Sequence, residues 1–324
     1  MNKRQIGKTN MYINPVGLGC MGFSHAYGVA EDRAKAIQTM KEAHQLGYDF
    51  YDTAECYTGE NADGSISYNE ELVGEAIHEF RNEVVIATKF GVEHKGDHLE
   101  FDSSKEAIRK SLEGSLKRLN VECIDLYYQH RIDSKVEPEI VAGVMKELIE
   151  EGKIKAWGIS EANEDYLRRA HAVCPVSAIQ NRYSMVARWH ENLFDVCEEL
   201  GITYVAFSPM ANGLLTGQFT SETKFSEGDF RNRMPQYQEE GFKKAQVLLE
   251  ILKDLAQKKN ATMAQISLAW MLCKKDFIVP IPGSRKLSRL EENFNSGHVQ
   301  LTKEEIKEID NQLKTMDFDV FGGH

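Results

Sequence analysis

The 324-residue sequence predicts an α/β fold in which eight parallel strands, each followed by a helix, close into a (β/α)8 TIM barrel. Short β-rich runs alternate with longer segments of helical periodicity almost to the end of the chain. The spacing of the strand candidates is nearly regular, and no linker or change of composition interrupts them. We therefore assign residues 1–324 to one domain, because such a pattern suits a closed barrel better than an open sheet with a second domain.

An N-terminal β-hairpin precedes the predicted barrel. Residues 3–6 turn through residues 7–10 into residues 11–14, and this hairpin could close the bottom of the barrel. The eight strand candidates then follow at residues 16–20, 49–53, 84–90, 124–130, 154–160, 178–183, 203–208 and 277–282.

Helices are predicted between the strands, and a long loop follows the seventh strand. The helix candidates include residues 30–46, 69–80, 103–119, 138–149 and 192–200, and each is long enough for a right-handed crossover. Gly47 and Gly201 would end the first and last of these helices. Residues 211–241 form the one long irregular stretch. It falls on the C-terminal face, where barrels hold their active sites, so a functional role is expected.

Composition excludes several classes of protein. The formal net charge is −11 and the basic residues are interspersed with acids, which argues against a nucleic-acid partner. No apolar run approaches the roughly 20 residues of a membrane span, and the first residues lack the apolar segment of a signal peptide. We therefore expect a cytoplasmic protein without a membrane partner.

Neither disulfides nor a metal site are predicted. The six cysteines are scattered without a C-x-x-C pair, which fits reduced thiols better than a disulfide framework or zinc. His94 and His98 are spaced four residues apart, but Gly96 and Asp97 between them indicate a surface turn.

A glycine motif near the N-terminus matches the dinucleotide-binding pattern of Rossmann domains only formally. Gly17, Gly19 and Gly22 follow a strand and match G-x-G-x-x-G. The next helix, however, begins near Glu31, and the ribose-binding acid expected about 20 residues further on is missing. A Rossmann domain is therefore not predicted.

Ser160 offers an alternative chemistry. Residues 158–162 resemble a nucleophile elbow between a strand and a helix, with Ala162 in place of the last glycine. A hydrolase would also need a histidine later in the chain, and its choice among His190, His298 and His324 would be guesswork. The hydrolase remains the less favoured reading.

Four polar residues near successive strand ends indicate one joint chemistry. Asp52, Lys89 and His130 lie at the ends of three predicted strands, and Tyr57 follows Asp52 by five residues. The carboxyl ends of barrel strands converge at one mouth, so these side chains should meet there. Singly, each could be a turn cap, a solvated cation or a structural histidine; together they predict a catalytic group.

These segments resemble the catalytic segments of the aldo-keto reductase superfamily: Y-D-T-A-E-C-Y at 51–57, A-T-K at 87–89 and Y-Q-H at 128–130. The likeness extends over nearly the whole chain. Residues 158–160, 206–209 and 281–285 resemble that family's cofactor-binding segments in the same order. Residues 20–23 and 213–217 suggest a microbial or plant-like branch.

The resemblance implies NADPH-dependent reduction of aldehydes or ketones to alcohols, without a metal. Tyr57 would donate the proton, and the ammonium of Lys89 would lower the pKa of that phenol. Asp52 would keep Lys89 charged and oriented. His130 would donate a hydrogen bond to the substrate oxygen and fix its direction.

The resemblance also implies a cofactor site. The nicotinamide would stack on Phe207, while Ser160 and Gln180 hold its carboxamide. Arg285, with Ser284 and Arg289, would bind the 2′-phosphate that distinguishes NADPH from NADH. The remaining implied contacts are Ser208, Pro209, Glu292 and Asn293. Glu161 stands where the family usually has Asn, and a carboxylate cannot donate to the carboxamide oxygen.

A second class remains open, because some proteins similar to this family are cofactor-bound regulatory subunits. Nothing in the sequence adds a partner-binding extension, so we favour an enzyme acting on a small carbonyl substrate. The substrate pocket is expected to lie among the loops around His25, Tyr27, Trp189 and residues 211–241. The sequence does not decide between a monomer and a homo-oligomer.

Overall fold

Eight parallel strands form the sheet at the centre of the protein, and the computed structural model describes residues 1–96 and 98–321. The strands pair in chain order: β1 (Leu18–Gly19), β2 (Phe50–Asp52), β3 (Val85–Phe90), β4 (Ile124–Gln129), β5 (Ile154–Ser160), β6 (Ala178–Arg182), β7 (Thr203–Phe207) and β8 (Ile278–Pro280). The predicted (β/α)8 barrel is confirmed.

A seam between the first and last strands closes the barrel. The backbone N–H of Gly17 donates to Pro280 O at 3.0 Å, and that of Gly19 donates to Pro282 O at 3.2 Å. The two chains approach so closely that a Cβ added to Gly283 would lie 2.3 Å from the carbonyl oxygen of Gly19. Glycine is required at this point because any side chain would push the seam apart.

Ten helices surround the sheet within the described part of the chain: α1 (Arg33–Leu46), α2 (Asn69–Ile77), α3 (Lys105–Leu119), α4 (Pro138–Glu150), α5 (Glu164–Val173), α6 (Phe194–Leu200), α7 (Glu239–Lys259), α8 (Met263–Lys274), α9 (Leu287–Phe294) and α10 (Lys303–Leu313). The first begins three residues later than predicted, because Asp32 accepts a hydrogen bond from Lys35 N and so caps α1. Gly47 and Gly201 end α1 and α6 in the left-handed conformation, as predicted.

The N-terminal hairpin closes the bottom of the barrel. Arg4–Gln5 pairs antiparallel with Tyr12–Ile13. Ile6 and Ile13 belong to the inner apolar cluster that fills the barrel, and both are buried. The Thr203 hydroxyl at the start of β7 donates to Gln5 O at 2.9 Å, which ties the hairpin to the sheet.

Two further hairpins at the mouth are absent from the sequence prediction. One pairs Thr58–Glu60 with Ile66–Tyr68 after β2, and the other pairs Val92–Lys95 with His98–Phe101 after β3. The second hairpin turns at Gly96, as predicted, while Asp97 lies outside the described residues. Both hairpins are short, which is why their alternation did not stand out from loop sequence.

The long loop after β7 is confirmed, although it is not featureless. It contains three 3-10 turns, Ala211–Thr216, Phe230–Arg233 and Pro235–Tyr237, before α7 begins at Glu239. None of the helices in residues 1–96 and 98–321 has the length and apolar character needed to cross a bilayer.

Candidate active site

A buried lysine on β3 contacts the end of β2 and the loop that follows it, at the mouth of the barrel. Lys89 Nζ donates to Asp52 Oδ1 at 2.6 Å, to the carbonyl oxygen of Thr53 at 2.7 Å and to the phenolic oxygen of Tyr57 at 3.3 Å. Strands β2 and β3 are adjacent and parallel, and Asp52 is in register with Ala87, two residues before Lys89. The structure therefore brings the side chains of Asp52, Tyr57 and Lys89 together, as predicted.

The contact between Asp52 and Lys89 is a buried ion pair. Their side chains are 3% and 0% exposed, and the second carboxylate oxygen of Asp52 accepts from Gln180 Nε2 at 2.6 Å. Burial disfavours the Lys89 ammonium, but the charge of Asp52 and the contact with Tyr57 outweigh it and raise the pKa of Lys89. Lys89 therefore stays protonated at neutral pH.

Tyr57 is held in place through its backbone. Its carbonyl oxygen accepts from the Ser24 hydroxyl at 3.0 Å and from Asn69 N at 3.1 Å. The Asn69 side chain also bonds to Ser24 and to Thr53, at 2.8 and 2.6 Å. Asn69 is 1% exposed at the start of α2, and sequence reasoning did not single it out. It fixes the loop that presents the phenol.

The pKa of Tyr57 differs from the sequence-based expectation. Burial raises it to about 12, because the desolvation of the phenolate is larger than the opposing effect of Lys89. The expected lowering is therefore wrong for the net shift. Tyr57 is protonated at neutral pH, and Lys89 limits the cost of forming its anion.

His130 lies directly after β4, the strand that pairs with the Lys89 strand β3. Its ring meets the Tyr57 ring edge-on at 5.7 Å between centroids, and its backbone N–H donates to Phe90 O at 3.0 Å. Burial, together with the charges of Arg131 and Lys89, holds the pKa of His130 well below its usual range. The imidazole is therefore neutral at neutral pH.

The partner of His130 is Cys56, which sequence reasoning missed. The Cys56 sulfur lies 3.4 Å from His130 Nδ1. Burial raises the pKa of Cys56 to about 12, so it is a thiol that can donate to Nδ1. With Cys56 as the donor, the ring proton of His130 resides on Nε2, and this tautomer can donate to a substrate oxygen.

The residues expected around a nicotinamide lie beside this group. Ser160 ends β5, Gln180 lies in β6 against Asp52, and Phe207 ends β7. Ser208 follows with a left-handed backbone, φ +51°, and leads into Pro209. These positions form a continuous arc along the carboxyl ends of β5 to β7.

Glu161 makes a different contact from the Asn usual in the resembled family. Its backbone is left-handed, φ +53°, and its carboxylate accepts from Arg182 N at 3.1 Å. Burial acts to raise the pKa of Glu161, but His190, Arg131 and the Arg182 amide outweigh it and lower that pKa. The carboxylate of Glu161 is thus hydrogen-bonded to the backbone at the end of β6.

A second cluster lies at the end of β8. Arg285 donates through Nη1 to Val29 O at 2.9 Å and through Nε to Gly22 O, which connects β8 to the loop after β1. Its third nitrogen, Nη2, is buried and has no hydrogen-bond partner in residues 1–96 and 98–321. Ser284 accepts from Lys286 N, and within α9 Arg289 pairs with Glu292 beside the buried Asn293.

The contacts of Ser160 bear on the alternative hydrolase chemistry. Its hydroxyl contacts Arg131 Nη1 at 3.2 Å, and within the described residues no histidine hydrogen-bonds to it. His324 lies outside those residues. Residues 1–96 and 98–321 also contain no cluster of three His, Cys, Asp or Glu side chains that could hold a metal.

The mouth of the closed barrel therefore carries a protonated tyrosine against a buried Asp–Lys pair. The chain matches the Aldo/keto reductase family over residues 15–314. It belongs to that family and is an oxidoreductase.

Relatives and solved structures agree with this assignment. The chain is 38% identical over 317 residues to aldo-keto reductase str7 of Strobilurus tenacellus, covering 94% of this chain and 90% of that protein. It is also 38% identical over 314 residues to aldo-keto reductase yakc (NADP(+)) of Schizosaccharomyces pombe, covering 94% and 89%. Glycerol dehydrogenase AKR11B4 of Gluconobacter oxydans superposes with a TM-score of 0.87 at 27% identity, covering 97% and 96%.

Proposed function

We propose that this protein uses NADPH to reduce small aldehydes or ketones to alcohols. The observation that carries the proposal is the chain of contacts from Asp52 through Lys89 to the Tyr57 hydroxyl. A carbonyl oxygen placed between Tyr57 and His130 would find a proton donor on one side and a hydrogen-bond donor on the other.

Each side chain has one task in this reaction. NADPH, when bound, supplies a hydride for the carbonyl carbon. Tyr57 donates its proton to the carbonyl oxygen, and the Lys89 ammonium stabilises the phenolate that this leaves. The Nε2–H of His130 donates to the same oxygen and stabilises the charge that develops there.

The residues present fit a phosphorylated nicotinamide cofactor. Phe207 offers an aromatic ring at the end of β7, bordered by the Arg131 and Arg182 guanidinium groups, and the buried Arg285 Nη2 has no acceptor among the described residues. A 2′-phosphate would supply that acceptor, since guanidinium and phosphate form strong charge-assisted hydrogen bonds. The name of the Schizosaccharomyces pombe relative includes NADP(+), which supports the same choice.

The cofactor preference gives a direct test of Arg285. We expect the protein to bind NADPH at least about tenfold more tightly than NADH, since one charged hydrogen bond contributes about 1.5 to 3 kcal/mol. Arg285→Ala should erode this preference chiefly by weakening NADPH. Fluorescence titration of both cofactors measures the four dissociation constants.

Lys253→Gln is a suitable control, because it removes one positive charge from an exposed position on α7. It should leave both dissociation constants unchanged. Equal losses of NADPH and NADH in Arg285→Ala would show that Arg285 only holds the loop carbonyls of Gly22 and Val29.

A second prediction tests whether the Cys56 thiol determines the tautomer of His130. Cys56→Ala should lower kcat/KM about 5- to 10-fold, the effect of losing one hydrogen bond of roughly 1 to 1.5 kcal/mol. Cys56→Ser keeps a donor at the same position and should retain most of the activity. The NADPH dissociation constant should not change in either variant. Equal kinetics in the Ala and Ser variants would remove Cys56 as a positioning residue.

Turnover separates the enzyme from the alternative of a regulatory subunit. An NADPH oxidation screen across aldehydes, α-dicarbonyls, quinones and sugar-like carbonyls should find at least one substrate. Tight NADPH binding without turnover of any compound would favour the regulatory subunit instead.

The loops around the mouth are proposed to select the substrate. The His25 ring stacks on Tyr57 at 6.0 Å between centroids, and Tyr27 forms a β-bridge with Asp229 of the long loop. Trp189 lies beside His190, with 6.1 Å between the ring centroids.

The cytoplasmic location and the absence of nucleic-acid and membrane partners stay predictions, as does the single domain.

A further inference from the structure

Two arginine side chains meet at the mouth, beside the candidate catalytic group. Arg131 follows His130 directly, and its Nη1 donates to His130 O at 2.6 Å and to the Ser160 hydroxyl at 3.2 Å. Arg182 ends β6. Both guanidinium groups lie against the Phe207 ring, at 6.0 Å and 4.9 Å from its centroid.

Neither guanidinium has a carboxylate as a direct partner among the described residues, although the charge of Glu161 acts on both. Most arginines of this acidic protein contact an acid, for example Arg109, Arg168 and Arg169 on the outer helices. In the described part of the chain Arg131 and Arg182 form no ion pair. Glu161 lies nearby, but its carboxylate binds the backbone N–H of Arg182 and faces His190.

The two positive charges destabilise each other. Burial lowers the pKa of Arg182, and the charge of Arg131 lowers it further against the opposing effect of Glu161. Unpaired like charges in a partly buried site are costly, and an anion bound between them relieves the cost.

The charged side chains described at this part of the mouth sum to a positive charge. Lys89, Arg131 and Arg182 are positive, whereas Asp52 and Glu161 are negative. The protein as a whole carries a net charge of −11. An anionic substrate would find a locally positive site in a globally acidic molecule.

The cofactor phosphates do not account for these arginines. Arg131 and Arg182 lie at the ends of β4 and β6, next to His130, whereas Arg285 and α9 follow β8. Arg131 is thus the arginine that directly follows His130 and also contacts Ser160.

We propose that Arg131, assisted by Arg182, binds a carboxylate of the carbonyl substrate. This inference rests on the proposed reductase function and names its substrate class: 2-oxo acids or aldehydes that carry a carboxylate. The planar guanidinium suits a carboxylate because it can donate two parallel hydrogen bonds.

The test compares acids with their neutral methyl esters. Phenylglyoxylate carries its carboxylate next to the reacting carbonyl, whereas 4-formylbenzoate carries it on the opposite side of the ring. Their methyl esters have the same reacting group without the charge. We expect kcat/KM to favour the acid at least about tenfold in one or both pairs, the effect of one charged hydrogen bond.

Substitutions then assign the preference to Arg131. Arg131→Gln should abolish the acid preference, lowering kcat/KM for the acids by a larger factor than for the esters. Arg131→Lys should retain part of the preference, since it keeps the charge but loses the fork. Lys253→Gln again serves as the control and should keep the full preference.

Several results would overturn the proposal. Esters reduced as well as acids in both pairs would exclude a carboxylate site, even if the Arg131 variants failed to fold. Equal loss of acid and ester reduction, or weaker NADPH binding, in Arg131→Gln would assign the arginine to general architecture or to the cofactor. No turnover of any of the four compounds, or of the wider carbonyl screen, would remove the reductase function itself.

Discussion

Tyr57→Phe should lower the reductive kcat at least about 100-fold, the low end of what general acid catalysis contributes. The substitution deletes the hydroxyl that lies 3.3 Å from Lys89 Nζ and leaves the ring in place. Since the ring keeps its packing against His25 and His130, NADPH affinity and thermal stability should change little.

Single-turnover kinetics with saturating NADPH measure this effect on the chemical step. The pH dependence gives an independent check, because only the protonated phenol can act as the acid. Reduction should stay level through neutral pH and fall as the pH approaches the Tyr57 pKa of about 12. Near-full activity of Tyr57→Phe, with contamination excluded, would remove Tyr57 as the proton donor.

Lys89→Met should reduce kcat about as much as the loss of Tyr57, because the phenolate would form without its stabilising cation. It should also destabilise the fold, since it leaves the carboxylate of Asp52 buried without a counterion. Breaking a buried pair in this way costs about 3 to 5 kcal/mol. Chemical unfolding and steady-state kinetics measure the two effects separately.

The variant Asp52→Asn/Lys89→Met separates catalysis from stability. It removes both charges and should recover much of the lost stability while staying inactive. The pair Tyr57→Phe/Lys89→Met should be little worse than either single variant, because both residues serve one proton transfer. Strict additivity in that cycle would contradict a coupled pair.

The barrel and the position of its catalytic group were predictable for a geometric reason. Carboxyl ends of parallel strands converge, so polar residues that end different strands must meet whatever lies between them. Only the ends of three strands had to be predicted correctly to place Asp52, Lys89 and His130 at the mouth. All three strands end within one residue of the prediction.

The electrostatics of the site could not be predicted, because they depend on burial and on contacts between distant segments. The pKa of Tyr57 is set by a desolvation that no local pattern encodes. The contact of Cys56 with His130 joins residues 74 positions apart, and Arg182 reaches Phe207 only once β6 and β7 are paired. Sequence reasoning therefore named the acid and its lysine but missed the side chains that tune them.

The seam between β1 and β8 gives the barrel an order of assembly during biosynthesis. The chain emerges from the ribosome N-terminus first, so Asp52, Tyr57, Lys89 and His130 are all made before half of the protein exists. One edge of β1 nevertheless has no partner until residues 280–282 are synthesised. The hydrogen bond from Arg285 to Gly22 O also joins residues 263 positions apart. An open sheet edge exposes unpaired backbone groups to other chains. The nascent protein thus carries its complete catalytic group on a half-finished sheet, and only the last quarter of synthesis can shield that edge.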